Sequence, residues 1–104
     1  MIRVFFRTER GRLTGFSLSG HADAAPAGED IVCAAVSSAV YMTANTVTEV
    51  LRLPAEISVG EGSMEVALTG ETAAAQAILS GFRLHILALQ DQYPACIRVT
   101  DTTE

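Results

Sequence analysis

The chain contains no lysine and no tryptophan, and its seven arginines face twelve carboxylates, for a net charge of −5. Nucleic-acid binding ordinarily shows as a basic patch; none is apparent along the sequence, so no nucleic-acid partner is expected. An acidic surface suits a basic peptide or protein partner, or serves solubility alone. Cysteine is scarce too. Cys33 and Cys96 lack the close spacing of a disulfide scaffold. A metal site of Cys33, His21 and a distant Cys96 or His85 is a poor fit, because structural zinc wants four ligands, usually in close pairs, and no such pair exists. No metal or cofactor is expected, and a redox role fails because no second cysteine lies near the first. No signal peptide and no apolar run approaching about 18 residues are seen, so no membrane partner and a cytoplasmic location are expected. Glycine-rich phosphate loops, internal repeats and linkers are missing as well. The 104 residues form one domain, long enough to bury about two thirds of its unfolded surface.

What is present alternates between two periods. Ile2, Val4 and Phe6 share one face of a strand over residues 2–7, with Arg3, Phe5 and Arg7 on the other. Thr8-Glu9-Arg10-Gly11 is a turn, Gly11 supplying a positive φ. A second strand runs from Leu13 to Gly20, with Phe16 and Leu18 on one side and Ser17 and Ser19 on the other. From Ile31 to Leu51 the spacing is helical: Val32, Ala35, Val36, Ala39, Val40, Val47 and Val50 make one stripe. Cys33, Ser37, Ala44 and Thr48 fall at its polar edge. Pro54 closes this region; Ala55 to Val59 and Ser63 to Leu68 form a hairpin around Gly60-Glu61-Gly62. A second helix spans Thr72 to Gln90 with Ala75, Ile78, Leu79, Phe82, Ile86 and Leu89 inward and His85 at the stripe's edge in a structural role. Leu84 and Leu87 lie outside that stripe, which is wide enough for a dimer interface or a second core contact. Cys96 to Thr100 is a last strand, followed by a frayed acidic tail. The order strand-strand-helix-strand-strand-helix-strand implies a two-layer α+β domain, helices on one face of a mostly antiparallel sheet.

Chemistry concentrates between Gly20 and Ser38, GHADAAPAGEDIVCAAVSS. His21 ends a strand and Cys33 opens a helix, and no other pair here offers a thiolate with its own base. With Asp30 as N-cap, Cys33 falls in the first helical turn, among open amides that stabilise a negative sulfur and can hold an oxyanion. A small thiol in VCAAV is also often plain core. Ser37, one turn on, can bond near the sulfur or back to its own helix. Asp23 and Asp30 both qualify to orient the imidazole. The joining segment Ala22, Asp23, Ala24, Ala25, Pro26, Ala27 and Gly28 has no large apolar side chain. It is either an ordinary connection or a cover over the nucleophile.

The same run resembles the signature of the ribosomal-processing cysteine proteases. Gly20-His21-Ala22 supplies the histidine element, and Gly28-Glu29-Asp30-Ile31-Val32-Cys33-Ala34-Ala35-Val36-Ser37 the cysteine element. The resemblance implies a small homodimeric protease with Cys33 as nucleophile, His21 as general base and Asp30 as a helper. Its substrate would be the N-terminal extension of a large-subunit ribosomal protein. The competing reading is a non-catalytic binding module acting in ribosome assembly.

Overall fold

A computed structural model describes residues 1–20 and 27–103. Strands β1 (Ile2–Glu9) and β2 (Arg12–Ser19) form the first hairpin. Arg10 and Gly11 both have positive φ, 52° and 77°, as a tight two-residue turn of type I′ geometry requires. Helix α1 (Ala27–Asn45) follows and continues as a π-turn over Thr46–Val50. Strands β3 (Ala55–Gly60) and β4 (Ser63–Leu68) make the second hairpin. A short 3-10 turn, Ala73–Ala75, leads into α2 (Gln76–Gln92), and β5 (Ile97–Thr103) completes the chain. The sheet order is β3-β4-β2-β1-β5, antiparallel except for the β1–β5 pair. Both helices cover one face, as the alternation of the strands requires.

That face is the core. Val4 and Phe6 on β1, Phe16 on β2, Val66 on β4 and Ile97 on β5 are buried beneath Val32, Val36 and Val40 of α1 and Leu79, Phe82 and Ile86 of α2. Phe82 sits between the two strand phenylalanines, with ring centroids 5.5 Å from Phe6 and 4.7 Å from Phe16. Two polar side chains set the register of α2 on the sheet. Gln76 accepts the Leu13 N–H at 2.9 Å and donates to the Leu13 carbonyl at 2.8 Å. Gln90 accepts the Val99 N–H at 2.7 Å. Backbone groups that the sheet leaves open thus find partners that water would otherwise supply.

Several expectations are corrected. The first helix starts at Ala27, so Ala27 and Gly28 belong to α1 and Asp30 is its fourth residue, not its N-cap. Glycine costs a helix only about 1 kcal/mol, and Glu29 and Asp30 occupy a first turn where carboxylates are favoured. Val50 leaves the expected stripe and is 74% exposed, while Ala44 is buried. The π-turn changes the spacing at the end of the helix, so a period of 3.6 no longer predicts which residue faces inward. Arg52, at φ 53°, reverses the chain there, and the Leu53 N–H returns to the Val47 carbonyl at 3.0 Å. That closes the helix as a glycine usually does. Residues 101–103 extend β5 instead of fraying, since β1 pairs with them through Thr8. His85 is exposed, so it has no core role. By length and composition Ile31–Val50 could cross a membrane, with hydropathy 1.4, against the expectation that no run approaches that size. Its valines at 32, 36, 40 and 47 are spent on the core.

Candidate active site

Cys33 carries a free, half-buried thiol on the seventh residue of α1. The α1 residues Val32 and Val36 beside it are fully sequestered by the sheet, which holds the helix and therefore the sulfur in a fixed place. Cys33 lines a cleft of about 210 Å³ between α1 and one end of the sheet. Val36, Ser37, Val40 and Tyr41 form the helix wall; Leu18, Val59 and Met64 are strand residues opposite. The walls are mostly apolar, with the thiol and the side chains of Ser37, Tyr41 and Ser63 as the reactive or polar groups. No metal-holding group of three His, Cys, Asp or Glu occurs among the described residues.

Glycines shape the mouth. Gly20 and Gly62 both line the cleft, and the Gly20 N–H donates to the Gly62 carbonyl at 3.0 Å. Gly20 has φ +87°, and a Cβ there would collide with the Met1 carbonyl oxygen. Only glycine fits both constraints. The end of β2 is thereby pinned to the β3–β4 turn at the point where the chain passes to His21.

Of the residues expected at the site, Cys33 and Ser37 share the cleft. His21 and the segment from Ala22 to Pro26, Asp23 included, lie outside the described residues. Asp30 stands three residues before Cys33 in the same helix. The expected first-turn amides are not at the sulfur, because the helix begins two turns earlier and its fifth residue onward has amides inside the hydrogen-bond ladder. Tyr41, Val59, Gly60 and Met64 were not anticipated as cleft residues. The Gly60-Glu61-Gly62 turn was visible in the sequence, but nothing local said that it would meet α1.

Comparison with known proteins gives a consistent picture. The family described as cysteine protease Prp matches residues 1–98. Among solved structures, the SMU.848 protein of Streptococcus mutans is 28% identical, with a TM-score of 0.84 over 100% of this chain and 96% of that one. The ribosomal processing protease Prp of S. aureus has been solved with a substrate peptide and with a covalently linked product peptide. Both structures are 24% identical to this chain and cover 98% of it and 100% of their own, with TM-scores of 0.89 and 0.87. Curated proteins give no match.

Proposed function

Because this chain belongs to the cysteine protease Prp family, we propose that it removes an N-terminal extension from a large-subunit ribosomal protein, using Cys33 as nucleophile and His21 as general base. The protease class follows from the family. The observation that carries the residue assignment is the cleft itself: it contains Cys33 and ends at Gly20, the residue before His21. The non-catalytic binding module is the disfavoured alternative, since the family is a protease family and such a module leaves a thiol lining the cleft unexplained.

In this reading the Cys33 thiol gives its proton to His21, and the sulfur attacks the carbonyl carbon of the scissile bond. The tetrahedral intermediate collapses to a thioester as His21 returns the proton to the departing amine. Water, deprotonated by His21, then hydrolyses the thioester and frees the thiol. Cys33 lies beyond the first turn of α1, where the macrodipole acts most strongly. Activation therefore falls mainly to the histidine. Ser37, one turn after Cys33 and lining the same cleft, would contact the peptide, and Asp30 is kept as a supporting residue.

The apolar walls favour apolar side chains on the substrate. Among the described residues β3 pairs only with β4, which leaves its outer edge open, and its Val59 and Gly60 border the cleft. A peptide laid along that edge gains main-chain hydrogen bonds while its side chains enter the cleft. The reading includes a homodimer, and the uncovered apolar surface favours α1 over α2 as its interface. Ile31, Tyr41 and Met42 are 67%, 58% and 55% exposed on one helix, against Leu84 alone on the other. Its place of work is the cytoplasm, where thiols stay reduced.

The test is cleavage of a peptide spanning such an extension. Cys33→Ala should abolish product while Cys96→Ala retains it. Full turnover by Cys33→Ala would overturn the assignment.

A further inference from the structure

The face of the sheet away from the helices is charged unevenly. Residues 1–20 carry four arginines and one glutamate in a chain of net charge −5, so the first hairpin is locally basic. The fold adds to this. Arg3 on β1 stands directly opposite Arg98 on the parallel strand β5, and both are exposed. Phe5 and Arg7 continue the same face of β1, opposite Thr100 and Thr102 on β5. Ser19 and Ser17 flank Arg3 and Phe5 on β2. The acidic residues of this face are Glu9, two places beyond Arg7 on β1, Glu65 on β4, which lines one small cavity with Phe5 and Arg7, and Glu56 on β3. The register instead puts Ser19, Phe5 and Thr100 around the Arg3–Arg98 pair. Among the described residues the ion pair is Arg83 with Asp101, and Asp101 belongs to the helix face, opposite Phe6. Arg3, Arg7 and Arg98 form no ion pair with a described carboxylate, and the Arg3–Arg98 pair has no carboxylate beside it on this face.

Like charges directly opposite one another cost stability. Keeping such a pair on an acidic protein points to an anionic ligand. We propose that this face, Arg3, Phe5, Arg7 and Arg98, binds single-stranded nucleic acid. The guanidinium groups pair with phosphates, the Phe5 ring offers a stacking surface for a base, and the serine and threonine hydroxyls supply short polar contacts. An acidic peptide would use the arginines and leave the half-exposed ring without a role; a flexible single strand uses both. The negative net charge conceals the patch from any reading of composition, because the arginines become neighbours only when β5 pairs with β1.

The experiment is fluorescence anisotropy of the full chain with labelled RNA and DNA single strands of about 12 nucleotides, a length within the usual range for such surfaces. Saturable binding at about 50 mM salt is expected, with log K falling against log salt at a slope of about −2 for three phosphate contacts. The RNA and DNA arms decide which nucleic acid is preferred. Arg3→Gln and Arg98→Gln should each weaken binding severalfold and flatten the slope by about 0.7. Phe5→Leu, which keeps an apolar side chain, should weaken it at least about fivefold. Arg52→Gln, off this face, should leave it unchanged, and peptide cleavage should survive all four substitutions. No saturable binding of either strand would overturn the proposal. So would equal binding of polyglutamate, or a change of sedimentation in the arginine variants with no loss of nucleic acid, which would make the face a contact between copies.

Discussion

Replacing Gly20 by alanine tests how the mouth of the cleft is built, and Gly11 provides its own control. Both glycines hold positive φ, +87° and +77°. Around Gly11 a Cβ would meet nothing within 4 Å, whereas at Gly20 it would drive into the Met1 carbonyl oxygen. Gly11→Ala therefore isolates the conformational cost, about 1–2 kcal/mol for an L-residue in the left-handed region. Gly20→Ala adds overpacking against backbone, typically about 1–3 kcal/mol. The totals are about 1 and about 3 kcal/mol. At about 4–8 °C per kcal/mol for a domain of this size, thermal unfolding followed by circular dichroism should drop by about 5 °C for Gly11→Ala and about 15 °C for Gly20→Ala. Peptide cleavage measured well below both midpoints should be near normal in the first and lost in the second, because the Gly20–Gly62 hydrogen bond at 3.0 Å would have to shift. Equal midpoints and equal activities for the two variants would refute the reasoning.

Three further outcomes follow from the same structure. His21→Ala should slow alkylation of Cys33 near neutral pH and cut cleavage by on the order of a hundredfold; unchanged alkylation would mean that the thiol is activated without the histidine. Arg83 donates two hydrogen bonds to Asp101, at 2.9 and 2.5 Å, and holds its carboxyl below the ordinary value of 3.8. A depressed folded pKa stabilises above the unfolded value and is lost as pH falls through the folded one. With the two side chains 35% and 45% exposed, urea unfolding of Asp101→Asn should show a loss of only about 0.2–1 kcal/mol near neutral pH, fading below pH 3.8. Finally, sedimentation should give a dimer that Met42→Glu splits and Leu84→Glu does not; a clean wild-type monomer of 11.0 kDa removes the dimer.

The strands were legible because period-two alternation survives folding: Ile2, Val4 and Phe6 are all buried. The interior of α2 was legible for the same reason at period 3.6, with Leu79, Phe82 and Ile86 inward. Helix ends were not. Pro26 and Gly28 read as breakers, yet Gly28 lies in the first turn of α1, and the π-turn at Thr46–Val50 leaves no mark that a fixed period can detect. Cys33 was legible as a candidate from its motif, but the cleft around it was not. Val59 is on the core side of β3, opposite Met64, yet it is 70% exposed, since the helices stop short of that edge strand. How far two helices reach across a sheet is decided by tertiary packing, and no local pattern encodes it. The same holds for the arginines of β1 and β5, which parallel pairing alone brings together.

The most direct test of the central claim is mass spectrometry of the N-terminus of a large-subunit ribosomal protein bearing an extension, after incubation with this chain. The account predicts a single shortened species with the wild type and an intact N-terminus with Cys33→Ala. An intact N-terminus with the folded wild type, or equal shortening by Cys33→Ala, would contradict it.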